Sequence, residues 1–128
     1  MRSAKILVVD DEPAVRSFLR DMLTYEGRQI VTAESGEEAL KHIADQEFDL
    51  VLLDLEMKTI GGTEVLADLH RRWPDTAVIV LTAHASLETA VEAVRRGARD
   101  YLFKPCKMDK LPERVEEALR ARLFNRSF

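Results

Sequence analysis

Five short apolar runs punctuate the chain: Lys5 to Val9, Gln29 to Ala33, Leu50 to Leu53, Ala77 to Leu81 and Tyr101 to Phe103. Each has strand length. The first, third and fourth are apolar at consecutive positions instead of alternating, which is the pattern of a strand covered on both faces in a parallel sheet. Between the runs, apolar residues recur at helical spacing. Val15, Phe18, Leu19, Met22 and Leu23 form one stripe, and Gly27 follows as a C-terminal cap. Ser35 with Glu38 makes a capping box ahead of Ala39, Leu40 and Ile43. Gly62, Val65, Leu66 and Leu69 mark a third helix that must stop before Pro74. Leu87, Ala90, Val91 and Val94 define a fourth, opened by Ser86 and closed at Gly97. Leu111, Val115, Ala118 and Leu119 give a fifth, with Pro112 tolerable because it falls in the first turn.

Strict alternation of strand and helix predicts an α/β fold: a doubly wound parallel sheet with right-handed crossovers and helices on both faces. No repeat, linker or low-complexity stretch divides the chain, so residues 1–128 read as a single domain, and an output domain would lie outside it.

Composition narrows the class. A chain of 128 residues buries roughly two-thirds of the surface it exposes when unfolded. Its 46% hydrophobic and 33% charged content is that of a soluble globule. A net charge of −4 and a pI near 5.4 speak against direct nucleic-acid binding, with Arg120, Arg122 and Arg126 as the only local basic run. No apolar stretch approaches the roughly 20 residues of a membrane helix, and Met1 to Lys5 leaves no room for a signal peptide. Cys106 stands alone, which rules out an internal disulfide and suits a reducing, cytoplasmic setting.

In such sheets ligands sit beyond the carboxyl ends of the strands, where strand order reverses. Asp10 and Asp11 follow the first run, Asp54 the third, Thr82 the fourth and Lys104 the fifth. Each alone has an ordinary reading. Asp10 or Asp11 could cap the helix that starts near Pro13, Thr82 could be a strand former, and Lys104 a solvated strand end. Together they demand more. Two like charges about 4 Å apart cost about 4 kcal/mol even at an effective dielectric near 20, so three carboxylates at one edge need a cation besides Lys104. Without clustered His or Cys, a hard divalent ion such as Mg2+ fits better than zinc, and its open positions suit phosphate oxygens.

At this point the chain resembles the receiver domains of two-component response regulators. The resemblance rests on Ile6-Leu-Val-Val-Asp-Asp-Glu-Pro13, Val51-Leu-Leu-Asp-Leu-Glu-Met57, Val80-Leu-Thr-Ala-His84 and Asp100-Tyr-Leu-Phe-Lys-Pro105, in this order and spacing. It implies a flavodoxin-like five-stranded (βα)5 sandwich of three layers, with strand order 2-1-3-4-5. It also implies roles. Asp54 would be the phosphoacceptor, forming an acyl phosphate. Asp11 and Asp54 would bind Mg2+ directly, Asp10 through water and Glu56 through its backbone carbonyl. Lys104 and Thr82 would contact the phosphoryl oxygens. Tyr101 would turn inward as Thr82 moves, remodelling the face of the fourth helix, fifth strand and fifth helix; a core tyrosine is the alternative. A cis Lys104-Pro105 bond would orient the lysine.

The implied partners are a sensor histidine kinase and an output domain, DNA-binding or ATPase-activating, and a homodimer through the same face is compatible with the resemblance. The stretch from Thr82 to Gly97 looks most like the N-terminal receivers of nitrogen-regulation-type (NtrC-like) transcription activators. Where the family usually has Pro after Met57, this chain has Lys58-Thr59-Ile60-Gly61-Gly62, which should loosen the loop and place a charge beside the site. Glu56, Lys58 and His84 are the positions expected to tune acyl-phosphate lifetime, although His84 also reads as a plain loop residue. His42 and His70 read as helix-surface residues. Three rivals remain on sequence alone: a receiver-like interaction module that never uses phosphate, a haloacid-dehalogenase-like phosphohydrolase, and a flavin or nucleotide carrier.

Overall fold

The structure, a computed structural model, describes residues 3–24, 27–55, 57, 61–82, 87–103 and 110–126. Its elements alternate as expected: β1 (Lys5–Val9), α1 (Pro13–Thr24), β2 (Gln29–Ala33), α2 (Gly36–Asp45), β3 (Leu50–Asp54), α3 (Gly62–Arg72), β4 (Ala77–Thr82), α4 (Leu87–Arg95), β5 (Asp100–Phe103) and α5 (Leu111–Arg126). All strands pair in parallel, in the order β2-β1-β3-β4-β5. The reversal of order therefore lies between β1 and β3.

Period-two alternation along the central strands feeds two separate cores. Leu7 and Val9 of β1, Val51 and Leu53 of β3, and Val78 and Val80 of β4 pack with Ala39, Ile43, Val65, Leu66, Leu69 and Ala93, under α2, α3 and α4. The intervening Ile6, Val8, Leu50, Leu52, Ile79 and Leu81 pack with Leu19, Leu23, Leu111, Val115 and Ala118, under α1 and α5. This explains why those runs are apolar at every position. At about 1.5–3 kcal/mol per buried aliphatic side chain, the three central strands hold the sheet together.

Local chemistry fixes the helix ends. Ser35 Oγ accepts the Glu38 N–H at 3.1 Å, while the Glu38 carboxylate reaches back to the Glu34 N–H at 3.4 Å, one residue beyond the Ser35 N–H that the capping box called for. At the end of α4, Ala98 N–H donates to Ala93 O at 2.9 Å and Gly97 N–H to Val94 O at 3.0 Å. That pairing is a Schellman motif, and it needs the left-handed φ of +104° that Gly97 supplies.

Three expectations change. The apolar spacing of α4 put Val91 and Val94 on its core face, yet they are 47% and 57% exposed, and Ala93 is the buried residue. A small side chain lets the helix sit close to the sheet, and Val91 and Val94, about 160° and 100° around the helix from Ala93, are turned away from the contact. Phe18, counted in the α1 stripe, is 52% exposed, whereas Leu19 and Leu23 are buried in the core and Val15 and Met22 pack against it. Arg122 does not belong to a solvated basic run. It is buried, with Nη2 2.6 Å from Glu47 Oε2 and Nη1 3.5 Å from Asp49 Oδ1. With Arg28 bonded to Glu116 at 2.7 Å, it ties α5 to the amino-terminal edge of the sheet.

Candidate functional site

The carboxyl edge is assembled by strand register. Val9 lies opposite Leu53, so the chain positions that follow, Asp10 and Asp54, flank the point where strand order reverses. Asp54 pairs with Leu81 and Thr82 with Phe103 in the ladder, making each the last strand residue instead of the first loop residue. Asp54 is 5% exposed, Asp10 1% and Thr82 0%. Strand register places these three polar side chains at a depth where burial costs energy that strand propensity does not return.

Asp10 is fixed at several points. Its N–H donates to Ala33 O at 3.1 Å, which extends the β1–β2 ladder by one residue. Its Oδ1 accepts the Glu12 N–H at 2.9 Å, so the capping role open to it on sequence is partly realised, although Glu12 itself holds the cap position through bonds from Val15 and Arg16 N–H. Its carbonyl accepts a hydrogen bond from Arg16 Nη1 at 2.7 Å. Pro13 then begins α1, where its missing N–H leaves no donor unpaired. This tight turn brings carboxylate oxygens of Asp10, Asp11 and Glu12 within 4.8 Å of one another. Glu12 was not among the residues singled out on sequence. The signal for it was its place in the Asp-Asp-Glu-Pro run. Hard oxygen donors at this spacing, one of them buried, fit a small divalent cation such as Mg2+.

Gly62 completes the support. Its N–H donates to Leu55 O at 3.1 Å, and a Cβ built on it would lie 2.5 Å from Leu55 Cα and closer still to the Asp54 carbonyl oxygen. Only glycine allows α3 to start against the backbone of Asp54. Gly61, the glycine before it in the run expected to loosen the loop, sits at φ −80°, an ordinary extended conformation, and caps α3 without a side-chain bond.

Lys104, Glu56, Lys58, His84 and the Lys104-Pro105 bond lie outside the described residues, as does the side chain of Tyr101. The backbone of Tyr101 is in β5, opposite Val80. His42 stands 3.8 Å from Glu38 on α2, and His70 is exposed on α3.

Comparison with known proteins settles the family. The model of the "Response regulator receiver domain" family matches residues 6–116. The chain belongs to that family. Receiver domains are signalling domains rather than enzymes in the ordinary sense; phosphorylation-dependent switching is their general role, and they generally bind Mg2+ at an acidic pocket. The transcriptional regulatory protein GlrR of Escherichia coli is 39% identical over 118 residues, covering 92% of this chain and 27% of GlrR. This receiver thus spans about a quarter of that relative's length. The crystal structure of NtrX from Brucella abortus superposes with a TM-score of 0.89 at 36% identity, over 98% of this chain and 29% of NtrX. TrrA from Thermotoga maritima, in complex with Mg2+ and BeF, gives 0.80 at 40% identity, over 90% of this chain and 98% of TrrA. Such relatives bear out the likeness to NtrC-family receivers. Among the described residues, no helix is long and apolar enough to cross a membrane.

Proposed function

We propose that residues 1–128 act as a single, cytoplasmic receiver domain in which Asp54 takes a phosphoryl group from a sensor histidine kinase. The observation that carries this reading is the placement of a buried carboxylate at the last ladder position of β3, next in register to Asp10 and its acidic cluster, inside a chain of this family. In the reaction an Asp54 carboxylate oxygen attacks phosphorus in line, the bond from phosphorus to the kinase imidazole nitrogen breaks, and the nitrogen keeps the electron pair. Asp11 and Asp54 would hold Mg2+ directly, Asp10 through water and Glu56 through its carbonyl. When bound there, the cation would neutralise charge at the phosphoryl oxygens; the relative TrrA is known in complex with Mg2+ and BeF. Lys104 provides a second positive charge, and the Thr82 hydroxyl, at the end of the neighbouring strand, donates to a phosphoryl oxygen.

Drawing Thr82 toward the new charge shifts the balance between two packings of α4, β5 and α5, with Tyr101 following it inward. The exposed Val91 and Val94 on α4 give that face an apolar surface for an output domain or a second copy of the chain. The domain also hydrolyses its own acyl phosphate, at a rate set by Glu56, Lys58 and His84. An unchanged autodephosphorylation rate in Lys58→Pro would remove Lys58 from that list. The test of the whole reading is incubation with acetyl phosphate and Mg2+ followed by intact mass: addition of one phosphoryl group, abolished by Asp54→Asn and by chelator. No addition, or addition that persists in Asp54→Asn, rejects it.

A further inference from the structure

We infer that Arg16 is a positioning residue for the acidic edge, setting Mg2+ affinity through the backbone of Asp10 without touching the ion; the inference rests on the reading of this edge as the Mg2+ site. Arg16 lies in the first turn of α1, and its own N–H bonds to Glu12 O at 3.1 Å. Its side chain, 17% exposed, folds back over the turn so that Nη1 donates to the Asp10 carbonyl at 2.7 Å, while Nη2 stands 3.8 Å from Glu34 Oε2. One guanidinium therefore spans the start of α1, the end of β1 and the loop after β2.

The consequence follows from what Asp10 must do. Its carboxylate and those of Asp11 and Glu12 converge only if the three consecutive residues hold a tight turn, and mutual repulsion of the carboxylates works to open that turn. Each backbone bond at Asp10 resists this. The N–H is tied to β2 and the carboxylate to Glu12, leaving the carbonyl as the one main-chain group that α1 can grip. A charge-assisted bond from a planar, always protonated group supplies the grip. A partner that orients a ligand-bearing residue commonly changes metal affinity by 10–100-fold when removed.

Two effects of removing Arg16 oppose each other. Loss of the strap disorders the ligands and weakens binding, while loss of a positive charge near the cation strengthens it. Because the guanidinium is engaged with a carbonyl and faces Glu34, its field at the edge is already partly offset, and positioning dominates. Titration of Mg2+ by calorimetry into wild type, Arg16→Met and Arg16→Lys tests this, with urea midpoints measured on each. The expected result is about tenfold weaker binding in Arg16→Met, partial recovery in Arg16→Lys, and a smaller loss in Glu34→Gln, which removes one end of the span and the charge that offsets the guanidinium. Equal or tighter binding in a folded Arg16→Met overturns the inference. If Arg16→Met does not fold, Arg16→Lys with wild-type affinity does the same, since a lysine cannot reproduce the two-point span. A wild type that binds no Mg2+ defeats instead the reading of the site on which the inference stands.

Discussion

Replacing Gly62 by alanine is the most severe small change the structure offers near the site. The added methyl would stand 2.5 Å from Leu55 Cα and nearer to the Asp54 carbonyl oxygen, whereas carbon atoms pack comfortably at about 3.5–4.0 Å. Helix α3 and the end of β3 must separate by roughly 1 Å, and both are backbone, so no side-chain rotation relieves the clash. Overpacking of this kind costs about 1–3 kcal/mol, against a helix-propensity gain of at most about 0.5–1 kcal/mol for alanine over glycine. The balance, a loss of up to about 2.5 kcal/mol, lowers Tm by roughly 4 °C per kcal/mol in a domain of this size. Urea unfolding of Gly62→Ala should show a reduced midpoint at unchanged slope, together with slower phosphorylation by acetyl phosphate, because the displaced backbone belongs to Asp54. Gly61→Ala is the matched control. Among the described residues its Cβ would meet Leu55 O alone, at 3.7 Å, and its φ of −80° suits any residue, so the entropy removed from the unfolded chain, about 0.4–1 kcal/mol, should roughly offset the poorer N-cap that alanine makes and leave the change near neutral. A Gly62→Ala protein as stable as Gly61→Ala would refute the steric argument.

Other expectations follow from burial. Arg122→Met keeps the apolar stem but takes the guanidinium from Glu47 and Asp49; because Asp49 keeps the Lys5 N–H at 2.9 Å and Glu47 is 31% exposed and can rehydrate, the loss in urea should be about 2 kcal/mol instead of the 3–5 of a fully buried pair, and adding Glu47→Gln should recover part of it. Val91→Thr with Val94→Thr should change stability by less than about 0.5 kcal/mol per site, as for surface positions, and a loss above 2 kcal/mol would restore them to the core. Ser35→Ala should cost about 1 kcal/mol through the lost N-cap of α2, read from thermal unfolding.

Hydrophobic pattern alone determined the order of the elements, because a strand segment buried on both faces must be apolar throughout, as Ile6 to Val9 of β1, Leu50 to Leu53 of β3 and Val78 to Leu81 of β4 are. It also determined which acidic residues follow which strand, since side-chain identity at a strand's end is local information. The order 2-1-3-4-5 came from family resemblance, and the pairing confirms it. What only the tertiary structure decided are matters of register and approach. The extra ladder step that makes Asp54 and Thr82 strand residues depends on partners in other strands. The choice between Gly61 and Gly62 depends on how near α3 comes to β3. Likewise Val91, Phe18 and Arg122 were misplaced because periodicity gives the spacing of an apolar stripe but not which edge of it meets the sheet, and composition cannot tell a solvated arginine from one that two distant carboxylates have drawn inside.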